Sequence, residues 1–233
     1  MTEGNRSRRG GDPQLDAFSV DVHELLEGSV ANLYSHLVTR PTGRAVRLAI
    51  EAQLHDLTPP ALSMVDLSSV VVLDYSCADE VVAKLLLSSE PDPRAPFRGG
   101  SGVCEADGPG GLEADGRVSS TPSGSFFFIF QGLRPHHLEP IREVLHRHEL
   151  AAVVRSADSP ERFELLGVRS SMEEELWTVV ETRGRMSAPQ VSEAFRSRNE
   201  RAALDGLVRR GLLFRHPLQG DLHSLGHLAR RFE

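Results

Sequence analysis

Apolar positions along the chain fall into short alternating or continuous runs, separated by stretches with helical spacing, and this pattern predicts the elements. Residues 18–26, FSVDVHELL, are apolar at Phe18, Val20 and Val22, the period of a half-buried strand. Ala31 to Leu37 has apolar spacing that predicts a short helix. After RPTG at 40–43, Val46, Ala49, Ile50 and Leu54 recur one turn apart and predict a second helix, ending before Pro59-Pro60. Leu62 to Leu67 and Val70 to Leu73, apolar and β-branched, predict a strand, a brief break and a strand edge. A helix is then expected from Ser76, with Val81, Val82, Leu85 and Leu86 on one broad face.

The run SFFFIFQG at 125–132 predicts a central strand buried on both faces of a parallel sheet. Pro135 to His148 follows as a helix with Leu138, Ile141, Val144 and Leu145 on one side and Pro135 in its first turn. LAAVV at 150–154 and RFELL at 162–166 supply the last strands. Strand and helix thus alternate from 18 to 168, which favours an α/β sandwich of right-handed crossovers.

From residue 171 the pattern changes. Leu176, Val179 and Val180 predict a helix, Ser187 caps a second at Ala188-Pro189, and Arg198 to Arg210 forms a third that stops at Gly211. LLFRHP, a turn around Gly220 and LHSLGHL predict a short hairpin. Three short helices followed by a two-stranded wing is the order of a winged helix-turn-helix. The expected fold class is therefore α/β, followed by a small winged helix-turn-helix domain, with the α/β part spanning 17–168 and the winged part 169–233. Residues 1–16 are polar and aperiodic, and 88–124 hold thirteen Gly or Pro in 37 positions. Neither stretch carries the apolar surface to offset ordering entropy, so a disordered tail and a disordered insertion are expected.

With 233 residues the chain exceeds a single domain of about 100–200 residues, in keeping with two. A net charge of -7 argues against wholesale coating of nucleic acid, so any basic site must be local. Cys77 and Cys104 offer neither a disulfide framework nor zinc spacing, and they suit a reducing cytosol. Arg6, Arg8 and Arg9 precede no apolar signal region, and no run approaches the ~18 apolar residues of a membrane span. The expectation is a cytoplasmic protein with no membrane partner, cofactor or metal. Lys84 is the only lysine among 26 basic residues, an arginine bias that points to a GC-rich bacterial genome.

Ser76 and Asp79 form an S-x-x-D arrangement, which predicts Ser76 as a helix N-cap; the same exposed hydroxyl at a helix start also suits phosphorylation. Asp66, Asp74, Asp79 and Glu80 are expected near the carboxyl edge of the sheet, where α/β sites form. His136, His137, His146 and His148 flank one helix without zinc spacing and are expected at the surface. On the third C-terminal helix, steps of 100° turn Leu204, Leu207 and Val208 inward. Arg198, Asn199, Ala202, Asp205, Gly206, Arg209 and Arg210 then face out, and Arg198, Asn199, Arg209 and Arg210 are candidate DNA contacts. Residues 172–233 carry ten arginines against nine acids, without the basic excess that drives nonspecific binding.

The stretch MVDLSSVVVLDYSCADEVVAKLL, Met64 to Leu86, resembles the core segment of the STAS domain of anti-sigma factor antagonists and sulfate transporters. It is more closely similar to a bacterial STAS-like family without assigned function, in which a strand ending in an acid leads into Asp-x-Ser-x-Ala-Asp-Glu, here Asp74, Ser76, Ala78, Asp79 and Glu80. The helix after Arg40 and Gly43 fits that family's upstream segment, and the resemblance extends over about the first two thirds of the chain. In the antagonists the turn runs Asp-Ser-Ser-Gly and the second serine is phosphorylated by a partner kinase. Ser76 falls on that serine, while Cys77 replaces the glycine.

The resemblance implies a non-enzymatic regulator with a partner surface at Asp74, Ser76, Asp79 and Glu80 and a protein or kinase partner, and the winged helix is expected to contact DNA or another protein. Two alternatives stay open: a scaffold whose two domains both bind protein, and an enzyme using the carboxylate edge.

Overall fold

A computed structural model describes residues 16–22, 36–55, 57, 60–89, 126–157, 159 and 161–232. Its architecture is mixed α/β. The main sheet contains β1 (Asp16–Asp21), β3 (Ala61–Asp66), β5 (Phe126–Gln131), β6 (Ala151–Arg155) and β7 (Phe163–Gly167), side by side in chain order. The first four run parallel and β7 is antiparallel to β6. Parallel neighbours in chain order need crossovers that all wind the same way, and right-handed winding puts every connecting helix on one face. Among the described residues these helices are α1 (Arg40–His55), then α2 (Tyr75–Ala78) running through a π-helical turn (Asp79–Ala83) into α3 (Lys84–Ser89), and α4 (Pro135–Arg147). A separate parallel pair, β2 (His36–Leu37) with β4 (Val72–Leu73), lies beside them.

β5 reads as predicted. Phe126, Phe128 and Phe130 enter the core under the helices with Val46, Ile50, Val81, Leu85, Ile141 and Leu145. Phe127 and Ile129 enter a second core on the opposite face. Burying both faces of such a strand contributes roughly 1.5–3 kcal/mol per large side chain.

That second face is covered by the C-terminal third. It contains α5 (Ser171–Arg183), β8 (Arg185–Met186), α6 (Ala188–Ala194), α7 (Arg198–Arg209), β9 (Leu213–Arg215), β10 (Leu222–Ser224) and α8 (Leu225–Ala229), with strand order β8-β10-β9. Ser170 with Glu173, and Ser197 with Glu200, form capping boxes at α5 and α7. Gly211, at φ +66°, ends α7 where the sequence signal put the stop. Trp177, Val180, Leu207, Phe214, Leu225 and Leu228 pack against Leu62, Met64, Phe127, Val153 and Leu165 of the main sheet in one continuous core.

Several boundaries differ from expectation. Asp16 belongs to β1 rather than to a tail, and Ser88 and Ser89 close α3 rather than open an insertion; the rest of 1–16 and of 88–124 lies outside the described residues. His36 and Leu37 form a strand, not the end of a helix, because they pair with Val72 and Leu73. Leu225 to Ala229 is helical rather than part of the hairpin, with Ser224 accepting from the His227 amide as its cap. Among the described residues no helix is long and apolar enough to cross a membrane.

Candidate functional site

The strand-to-helix turn after β4 is the site that the sequence motif marks. Asp74 is its last extended residue, at φ -89° and ψ 170°, and its Oδ1 accepts from the Cys77 amide at 2.8 Å. Asp74, not Ser76, is therefore the N-cap. Ser76 already lies inside the helix, where its hydroxyl donates to the same Asp74 oxygen at 2.8 Å. The S-x-x-D expectation fails because Asp74 accepts as well as serine does and stands two residues earlier, where the backbone is still extended.

Asp79 and Glu80, expected to face a partner, are buried. The π-helical turn runs between α1 and α4 and is buried all round, so its acids point into protein. Arg40 Nη1 donates to Asp79 Oδ2 at 2.7 Å and to Glu80 Oε1 at 3.0 Å. His148 Nε2 lies 2.7 Å from Asp79 Oδ1, Arg47 Nε donates to Glu80 Oε2 at 3.3 Å, and Lys84 pairs with Glu80. Burial raises the Asp79 carboxyl, but hydrogen bonds from Arg40 and His148 outweigh it and hold it below the usual carboxylate range. Glu80 is lowered in the same way, with burial opposed by Lys84 and Arg47. The pair is a structural anchor between helices.

Gly43 permits that packing, since a Cβ there would sit 2.9 Å from Cys77 Cα and 3.2 Å from Glu80 Cβ. Cys77 donates to Thr39 O at 2.9 Å, and burial with the Asp74 charge pushes its thiol up to about 11, which makes it inert as a nucleophile.

The carboxylates do not gather into one site. Asp66 accepts from the Ser68 amide at 2.8 Å and from Gln131 Nε2 at 3.0 Å, sharing no partner with Asp79 or Glu80. Among the described residues no group of three or more His, Cys, Asp or Glu is arranged to hold a metal ion. Nor are the α4 histidines all superficial. His137 is fully buried and accepts the Arg134 amide at 3.2 Å, because the helix start needs an acceptor three residues on. His148 is committed to Asp79.

Sequence reasoning missed the apolar surface around Ser76. Val38, Val71, Val72 and Tyr75 are 47, 38, 37 and 46% exposed. The β2–β4 pair brings residues 36–38 beside 71–73, with the Asp74 amide donating to Leu37 O at 2.9 Å, while Tyr75 lies beside Glu139 and Glu143 of α4. His136 Nε2 holds Val71 O at 2.7 Å, which fixes the β4 backbone to α4. A run of valines suggests a core; a two-residue strand pair at the margin leaves part of it uncovered.

On α7, Leu204 and Leu207 are buried while Arg198, Asn199, Ala202 and Arg209 are exposed, as the helical spacing requires. Arg210, expected among them, is instead engaged: its Nη1 donates to Glu173 at 3.1 Å and its guanidinium also bonds Val168 O. Gly206 likewise faces α5, with its missing Cβ 3.6 Å from Glu173 Oε1. The last turn of α7 packs on α5, so only its first turns and Arg209 look outward. Comparison of the chain with known protein families, with curated proteins and with solved structures finds no match.

Proposed function

We propose that the chain is a non-enzymatic regulatory protein of the bacterial cytoplasm, a STAS-like protein-binding module joined to a winged helix, whose partner docks on the apolar surface around Ser76. The observation that carries this reading is that Val38, Val71, Val72 and Tyr75 stay exposed while both faces of the main sheet are filled by the chain's own residues. Apolar side chains held on a fixed backbone are suited to a protein surface. The four parallel strands, with their described crossover helices on one face, support the STAS-like part. Helices α5 to α7 with the sheet β8-β10-β9 support the winged part.

A phosphate on Ser76, delivered by a partner kinase, would replace the hydroxyl donor that Asp74 now accepts with negative charge beside that carboxylate. This would loosen the cap and change the docking surface, which gives the regulatory reading its switch.

A second reading, DNA contact through α7, is favoured by Arg198, Asn199 and Arg209 lying exposed on one helix with Ala202 between them. One set of full-length variants tests both. Val72→Asp with Tyr75→Asp is expected to lose a stoichiometric protein partner at least tenfold, while Arg198→Ala with Asn199→Ala and Arg209→Ala keeps it. DNA contact requires the reverse ranking on duplex DNA at low salt, with a shallower salt dependence in the α7 variant. Unchanged partner affinity in the Val72/Tyr75 variant overturns the docking site.

A further inference from the structure

The C-terminal third meets the main sheet through an aromatic contact flanked by two buried histidines. Phe214 of β9 packs edge-on against Phe127 of β5, with ring centroids 5.5 Å apart and planes at 86°. His223 lies directly opposite Phe214 in the β9–β10 pair, with ring centroids 5.8 Å apart. His216 lies two residues beyond Phe214, on the same face, with its centroid 6.4 Å away. His223 and His216 are only 7 and 6% exposed. Among the described residues, His223 Nδ1 and His216 Nε2 have no hydrogen-bond partner. His216 Nδ1 accepts the Gln219 amide at 3.0 Å.

The charged and titratable groups facing His223 are Arg185 from β8, Asp221 from the start of β10, His227 from α8 and His216 from beyond β9. From the main sheet, the residue that meets this cluster through Phe214 is the apolar ring of Phe127. Asp221, the one acid, is already committed: Arg185 donates to its Oδ2 from Nε at 3.0 Å and from Nη2 at 2.7 Å, and the Ala188 amide donates to Oδ1 at 3.2 Å. A proton taken up by the buried ring therefore finds no free acceptor and a guanidinium nearby. Burial first, then Arg185, pushes the His223 imidazole down to about 4.

We propose that His223, with His216 beside it, is an acid-operated latch on the docking of the C-terminal third: uptake of one proton loosens Phe214 from Phe127 and releases α5 to α8 from the sheet face as a unit. Release lets the imidazolium reach water and uncovers Leu62, Met64, Phe127 and Ile129 as new apolar surface. The sign follows from linkage. The docked ring titrates below the ordinary histidine value of about 6.5, so docking is full above that pH and weakens up to tenfold per pH unit as pH falls from about 6.5 towards 4. This inference does not depend on the surface at Ser76.

Trp177, the only tryptophan in the chain, reports the event directly. It is buried in the same core, and its Nε1 donates to Leu212 O at 3.2 Å. The experiment follows Trp177 emission and far-ultraviolet circular dichroism of the full chain between pH 8 and pH 4. The expected result is a red shift in emission below about pH 5, one proton steep, while most secondary structure persists; His223→Gln or His223→Phe moves its midpoint down by at least one pH unit. Hydrogen exchange of the wild type at pH 5 gives an independent readout that needs no variant, with amides of α5 and α7 accelerating more than those of β3 and β5. Superimposable acid curves for wild type and folded variants, or equal acceleration of all these amides, overturns the latch.

Discussion

On one face of the main sheet the cover comes from helices that the strands are themselves connected to; on the other it comes from a segment that begins only after the last strand. The first face buries charge in pairs, with Asp79 and Glu80 held by Arg40, Arg47, Lys84 and His148. The second buries aromatic rings and two histidines whose His223 Nδ1 and His216 Nε2 have no partner among the described residues, with the neighbouring Arg185 and Asp221 committed to each other. Burial tolerates a charge only when partners replace water, and otherwise the group must stay neutral. The two faces should thus fail differently in acid while contributing similarly at neutral pH.

The largest effects test whether the faces are equivalent. Phe130→Ala removes a ring from the helix-covered core and Phe127→Ala one from the other, and each is expected to cost about 3–5 kcal/mol. Thermal melts of both should show one transition. If Phe127→Ala costs under about 1 kcal/mol, the C-terminal third is merely tethered.

The ion network comes next. Glu80→Gln leaves Arg47 and Lys84 without their carboxylate, and a loss of about 2–3 kcal/mol is expected, below the full cost of a buried pair because Arg40 and Lys84 reach solvent. Since the folded Asp79 and Glu80 titrate below their unfolded values, their contribution is complete above about pH 4 and is lost as pH falls through the lowered values. Urea melts against pH should therefore show stability falling from about pH 6.5, as His223 and the buried His137 of α4 take up protons, and a further loss in stronger acid as Asp79 and Glu80 are protonated.

The smallest effects concern the cap. Asp74→Ala is expected to cost about 1 kcal/mol and Ser76→Ala less than about 0.5, since Asp74 holds the Cys77 amide. The opposite ranking in denaturant melts would return the cap to Ser76.

This contrast also marks what the sequence made legible. β5, the start of α4 at Pro135 and the stop of α7 at Gly211 follow from signals within a few residues. The strand at His36–Leu37 does not, because it exists only through Val72–Leu73. At the candidate site, the motif located the turn, but Asp74 and Ser76 are both competent caps and only the extended backbone at Asp74 decides. Adjacent acids suggest a solvated helix face; Asp79 and Glu80 are buried because, Lys84 apart, their partners come from 33 to 69 residues away in sequence. Helical spacing placed Arg198, Asn199 and Arg209 outward correctly but could not foresee that α5 would claim Arg210.

The docking site at Val38, Val71, Val72 and Tyr75 requires the C-terminal third to be part of the sheet's core, because an unfilled second face would expose Leu62, Met64, Phe127 and Ile129 as a competing apolar surface. Native-state hydrogen exchange at pH 7 tests this directly. The slowest amides of α5, α7 and β10 are predicted to open together, as one unit, at about 3 kcal/mol or more and below the free energy at which β3, β5 and β6 open. Opening of the C-terminal amides at under about 1 kcal/mol, or amide by amide rather than as a unit, would contradict it.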